Sequence, residues 1–249
     1  MAVQSTPSRP LRRWIFFGLA VVVGLVCIRL GIWQLDRLAQ RRALNAAARA
    51  HLDLPAVALP EDLGPSEDLA YRHATARGTF DGSHEIYLTS RPLDGIAGVH
   101  VVTPLLLGEG GPALLVDRGW IADEDYRAGS GQTWSTDGPA EVGGMLLPSQ
   151  HEPALGFLAD RIPAVGEPPL TEWRAMFIPG IRQQVPYPIL DVYLAQESPA
   201  PWPNAPAPAP ELDLSEGPHL GYAVQWFAFA AIALVGGIFW LRRNPGADR

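Results

Sequence analysis

His219 opens an apolar run that carries no charge from 220 to 241, and Tyr222 and Trp226 follow it three and seven residues on. That spacing sets all three along one helical face. Near the other end of the chain Arg29, Trp33, Arg37 and Arg41 recur at every fourth residue, beginning inside a second apolar run. If both runs are helices side by side, the two stripes meet at one depth. A neutral imidazole, flat aromatic rings and guanidinium groups suit the axial position, the macrocycle and the anionic propionates of an iron porphyrin. On that reading His219 is the metal ligand, and Trp33, Arg37, Arg41, Tyr222 and Trp226 line the cofactor. The same residue types also form the interfacial belt that anchors membrane helices. The residues alone leave both readings open. Arg29 is the costly member: a charge at the centre of a bilayer costs about 2.5–3.5 kcal/mol on insertion scales, and less near an end. It calls for a partner.

Other chemistries lose support by inspection. The sequence contains no nucleophile elbow, phosphate-binding loop, dinucleotide fingerprint or H-E-x-x-H pair, and no C-x-x-C-H haem attachment. The single cysteine, Cys27, lies within an apolar run and cannot form an internal disulfide. Together with the scattered Met1, Met145 and Met176 it makes no copper site. His51, His73, His84, His100 and His151 lie far apart and read as surface or strand-face residues. Asp117 and Arg118 are adjacent on a strand, so their side chains leave opposite faces and each calls for a cross-strand partner. The chain is read as non-enzymatic.

The elements that must position these residues are two membrane helices and a domain between them. Residues 14–33 carry Arg29 as their only charge and, at ~1.5 Å per residue, are long enough to cross a ~30 Å hydrocarbon layer. No A-x-A site directly follows the apolar core 14–28, and Gly24-Leu25-Val26 before Cys27 lacks the small residue of a lipoprotein signal, so the helix is expected to be retained. The second span is 218–241. Arg supplies all 19 positive charges. Residues 34–217 hold 12 Arg against 25 Asp and Glu, and the two ends hold 7 Arg against one Asp. An acidic middle offers no footprint for nucleic acid. Arg242 and Arg243 flank the second span on one side and Glu211, Asp213 and Glu216 on the other. The positive-inside rule then puts residues 1–13 and 242–249 in the cytoplasm and 34–217 outside it, although the flanks of the first span balance.

Beyond the first span, 34–50 is rich in Ala, Leu and Arg and continues as helix until Pro55 and Pro60. Six short runs punctuated by Gly, Pro or Asp, at 71–80, 85–90, 99–107, 113–121, 142–147 and 189–194, predict an antiparallel sheet or partly closed barrel. Segment 173–184 supplies a helix that Pro179-Gly180 threatens. Residues 122–141 read as a solvated loop, and 199–210, with six prolines, as a stiff polyproline spacer. The fold class is α+β: two terminal membrane helices around an extracytoplasmic, antiparallel β-rich domain.

GIWQLDRLAQR (31–41), YRHATARGTF (71–80), GVHVVTPLL (98–106), VDRGWI (116–121) and HLGYAVQWFAF (219–229), in that order between two terminal spans, resemble the Surfeit locus protein one family of cytochrome c oxidase assembly factors. The resemblance covers most of the chain. It implies a non-enzymatic helper that acts while haem a is placed in the catalytic subunit of the oxidase, with that subunit and the haem a synthesis machinery as partners. It also points to His219 as the haem-binding histidine. A scaffold that stabilises an oxidase assembly intermediate without binding haem is the second reading. The loops 122–141 and 199–210 depart from the family pattern. Only 13 residues precede the first span, which leaves no room for a mitochondrial presequence, so a multi-pass protein of a bacterial plasma membrane is expected.

This topology predicts that a reporter enzyme active only outside the cytoplasm is active when fused near Ser149 and silent after Arg249. The reverse pattern overturns it.

Overall fold

A computed structural model describes residues 9–129, 137–150, 159–164, 166–197, 206–207 and 212–243. The chain divides into two compact units, one made of 1–47 with 213–249 and the other of 48–212.

The first unit is a pair of helices. Helix α1 runs Arg9–Leu52 without a break, and α5 runs His219–Arg243. Both are long and apolar enough to cross a membrane. Proline is missing from α1 after Pro10, and Pro55 lies just past its end, which accounts for its length. Along α1 the residues turned inward are Gly24, Cys27, Gly31, Gln34, Leu38 and Asn45, a three-and-four spacing that defines one seam. Helix α5 answers with Ala223, Ala230 and Gly237, each buried and seven residues from the next. Small residues let the helices close up: a Cβ on Gly24 would come within 2.8 Å of Leu234, and one on Gly31 within 2.8 Å of the Phe227 ring. Outside the seam the surface is apolar and exposed, with Leu19, Val22, Leu25, Ile232 and Val235 all more than half exposed.

The second unit is an eight-stranded sheet: β1 Val57–Leu59, β2 His73–Phe80, β3 Ile86–Leu88, β4 Gly98–Leu106, β5 Ala113–Ala122, β6 Gly138–Pro148, β7 Glu172–Trp173 and β8 Ile189–Gln196. Short helices α2 (Ser66–Leu69), α3 (Asp123–Arg127) and α4 (Ile178–Ile181) lie between them. The order is β1-β2-β6-β8-β5-β4-β3-β7, and β4 also pairs with β2 through Thr79–Leu106 and Phe80–Leu105. Strands β2, β6, β8, β5 and β4 therefore form a closed ring. Inside it Ala74, Ala76 and Phe80 of β2 meet Leu105, Leu114, Val116, Val142, Leu146, Val192 and Leu194. A second core lies on the other face of β5 and β8, where Trp173, Met176, Ile178 and Ile181 cover Leu115, Ile189 and Tyr193. Because β4 and β5 are buried on both faces, their sequences run apolar where a half-exposed strand would alternate.

All six expected strands form, with shifted ends, but the sheet is mixed. Pairs β1–β2, β3–β7 and β5–β8 are parallel. The helix expected over 173–184 is replaced by β7 at its start and a single turn, α4, with a 3₁₀ turn Arg182–Gln184 after it. Pro179 stands in the first turn of α4, where no intrahelical N–H is required. The loop expected over 122–141 contains α3, held by an Arg127–Asp123 ion pair at 2.7 Å, and β6 already begins at Gly138. Residues 130–136 lie outside the described residues. Most of the proline segment 199–210 does too; the described part does not run free, since Ala207 exchanges backbone hydrogen bonds of 2.7 and 2.8 Å with Trp120 of β5.

Ring closure depends on Gly78, where a Cβ would stand 2.3 Å from the Leu106 carbonyl oxygen. Gly78→Ala is expected to destabilise the protein by about 1–3 kcal/mol. Gly143→Ala, whose nearest neighbour would be 3.9 Å away, is expected to be close to neutral. Thermal unfolding of both variants beside the parent checks this.

Candidate functional site in the helix pair and the buried polar groups of the sheet

Polar residues in the seam of α1 and α5 are satisfied one by one. Nδ1 of His219 lies 2.8 Å from Oε1 of Gln34 and donates to it. About three turns further along α1, the Asn45 amide donates to the carbonyls of Leu214 and Ser215 at 2.7 and 3.3 Å. Arg42 forms a two-pronged pair with Glu216, both contacts 2.8 Å. That carboxylate raises the Arg42 pKa, through its hydrogen bond first and its charge second. The segment entering α5 is thereby clasped to the polar end of α1. Histidine with Nδ1 occupied presents Nε2 as its lone-pair nitrogen, and among the described residues nothing hydrogen-bonds His219 Nε2. Gly217, at φ +67°, keeps the flank of that nitrogen open: a side chain there would begin 3.6 Å from it.

The stripe on α1 does not run parallel to the seam. A four-residue step overshoots a full turn by about 50° in a coiled-coil helix, so three steps swing through about 150°. Arg29 therefore starts on the face turned away from α5, and only Arg37 and Arg41 come round beside the seam. Arg29, Trp33, Arg37 and Arg41 are all exposed. The Arg37 guanidinium lies 5.6 Å from the Trp33 ring centre and donates to Gln40 at 3.0 Å. Arg41 faces Asp213 closely enough to help hold that carboxyl below its usual range, after the hydrogen bonds Asp213 accepts from Ser215. Trp226 is half-buried against Phe229, and Tyr222 is exposed beside the seam. The arrangement expected at one depth is thus partial: Arg37 and Arg41 flank His219's side of α1, whereas Arg29 does not.

In the sheet unit, Asp117 and Arg118 leave opposite faces of β5, and both are buried. Asp117 accepts from Nδ1 of His100 at 2.8 Å and from the backbone of Gly119 at 3.1 Å. Arg118 stands over the Phe80 ring and donates to Glu85 at 3.2 Å and to Thr103 at 3.3 Å. Glu85 also accepts from Thr103 and from the Tyr87 hydroxyl, each at 2.8 Å. Burial raises the Glu85 pKa and lowers that of Arg118, so for both groups the loss of water outweighs their mutual attraction. Among the described residues no group of three or more His, Cys, Asp or Glu is placed to hold a metal ion.

The SURF1 family profile matches residues 21–231. That span reaches from the first apolar run well into α5. The chain belongs to the SURF1 family. Among relatives of this SURF1-family chain is the cytochrome oxidase assembly protein SHY1 of Saccharomyces cerevisiae, 32% identical over 48% of the chain and 33% of the yeast protein. The match thus spans a third of that relative's length. A SURF1-like protein of Monosiga brevicollis is 25% identical over 90% of the chain and 86% of its own. Human Surfeit locus protein 1 is 26% identical over 51% of the chain and 47% of its own.

Sequence reasoning singled out His219 but missed Gln34, Asn45, Glu216 and Gly217 around it, and Glu85 under Arg118. For Gln34 and Asn45 a signal existed: they continue the three-and-four spacing of Gly24 and Gly31. For the place of Glu85 under Arg118 none did, since Thr103 and Arg118 lie 18 and 33 residues away from it.

Arg118→Leu leaves the Glu85 carboxylate buried without its countercharge, and is expected to cost about 3–5 kcal/mol at pH 7. Adding Glu85→Gln is expected to recover most of that loss. The raised folded-state pKa of Glu85 fixes the pH dependence. Below its ordinary value of 4.5 both folded and unfolded carboxyls are protonated and the penalty vanishes; it builds as pH rises through the raised value. The deficit of Arg118→Leu should therefore shrink on acidification from pH 7, as unfolding curves at several pH values will show.

Proposed function

We propose that this chain is a non-enzymatic assembly factor for cytochrome c oxidase, held in a bacterial plasma membrane by α1 and α5 with both termini cytoplasmic. In this reading it carries haem a as cargo toward the catalytic subunit, receiving it from the machinery that makes haem a. The observation that supports the reading best is His219. Its Nδ1 is fixed by Gln34 and its Nε2 is left without a partner beside the open flank of Gly217. A histidine oriented through one ring nitrogen is the usual form of an iron ligand. Arg37 and Arg41 serve the propionates, and Trp33, Tyr222 and Trp226 supply ring surface. The relative named for cytochrome oxidase assembly supports the choice of oxidase as client.

The clasp of Asn45, Arg42 and Gln34 on the entry to α5 favours a second reading, a scaffold that stabilises an assembly intermediate and binds no haem. The absorption spectrum of the purified full chain separates the two, because a Soret band cannot arise from polypeptide. The haem reading expects His219→Ala to lower bound haem at least tenfold while the protein stays inserted. It expects Gln34→Leu to weaken haem binding by about 10–100-fold, as loss of an orienting partner does. Unchanged haem content in His219→Ala, or a parent protein without a Soret band, rejects the ligand role and leaves the scaffold.

A further inference from the structure

The face of α1 opposite the seam is unused by the helix pair and is not a plain lipid surface. Val22, Leu25, Val26, Arg29, Ile32 and Trp33 lie exposed along it, with Arg29 the one charge among them. Among the described residues nothing pairs with the Arg29 guanidinium. A guanidinium keeps its charge and its fork of N–H donors, and leaving these unmatched in hydrocarbon is costly.

A lipid phosphate is the first partner to weigh, and two features argue against it. The Arg29 Cα lies five residues, ~7.5 Å, inside the level of Gln34 and His219, and side chains of α1 tilt toward its N-terminus, away from that level. One turn further out, about 50° round the helix, stands Trp33 with the Arg37 guanidinium over its ring, so the outward side already carries a bulky ring and a second cation. Toward the other end the next basic residue is Arg13, sixteen residues or ~24 Å away. The charge is therefore held within the apolar layer, where a carboxylate on a second protein helix can meet it in a two-pronged pair.

We propose that this face of α1 docks a membrane-spanning helix of a partner protein, which places an Asp or Glu against Arg29. The proposal rests on reading α1 as a membrane span and is independent of haem binding at His219.

The test uses the full chain in its native membrane with a photoreactive residue at Val26, and a control at Val235 on α5. The expected adduct joins Val26 to a peptide from a membrane-spanning segment that contains Asp or Glu. Its yield, relative to inserted chain, falls at least tenfold in Arg29→Gln, and returns when Arg29→Glu is combined with the partner's acid changed to Arg. His219→Ala leaves the yield unchanged, so failure of the haem reading does not touch this one. Adducts to lipid alone, an adduct from a segment lacking a carboxylate, equal yield in Arg29→Gln, or a chain washed from the membrane at alkaline pH each overturn the proposal.

Discussion

A side-chain amide closed into the contact between two apolar helices has no water to satisfy it, and the disposition of the helix pair follows from that constraint. Gln34 is buried in the seam, and His219 is the group that meets it. An amide or imidazole without a partner in such a place costs more than the hydrogen bond returns, so the pair fixes the register of α1 against α5 where apolar contacts alone would allow sliding. The small residues above and below permit the approach, and the polar ones decide where along the helices it happens. Asn45 and Arg42 extend the same rule past the end of the apolar run, binding the backbone and carboxylate of the segment that enters α5. The bond that holds His219 to Gln34 uses Nδ1 and leaves Nε2 without a partner among the described residues. The contact that packs the helices therefore also fixes the His219 ring, and this is why the haem-carrying and scaffold readings share residues.

The sheet unit is governed by closure. Strand β2 shares one of its edges between β1 and β4, and β4 shares one of its own between β2 and β3, so the ring shuts over only two residue pairs. Such a short join tolerates no Cβ at Gly78. Close beside it the ring carries a buried ion pair, Glu85 with Arg118, whose members both lose more by dehydration than they regain from each other. A pair of this kind does little for net stability, yet removing one member alone is severe. Its value lies in tying β5 and β4 to the residue that precedes β3, at the point where the sheet leaves the ring.

Legibility in the sequence followed the range of the interaction. The two long helices were plain because hydropathy and freedom from proline act within a few turns, and the six strands because Gly, Pro and Asp mark their ends locally. The adjacency of Asp117 and Arg118 was enough to send them to opposite faces with separate partners, since strand geometry has a period of two. Strands β1 and β7, of three and two residues, carry too little pattern to stand out and exist only because β2 and β3 offer them an edge. The parallel pairings are equally invisible, because strand direction is set by where the chain returns in space.

The candidate site divides along the same line. The sequence by itself determined that His219 opens an apolar helix, that Arg29 stands within another, and that Trp33, Arg37 and Arg41 follow it at every fourth residue. Only the tertiary structure decided that Gln34, and not an arginine, faces His219, and that the arginine stripe swings round α1 until Arg29 lies on the opposite face. A spacing of four and a helical repeat near 3.5 differ by a fraction of a turn at each step. That fraction is small within one turn and accumulates over three, so which members of the stripe share a surface depends on the partner helix against which the rotation is measured.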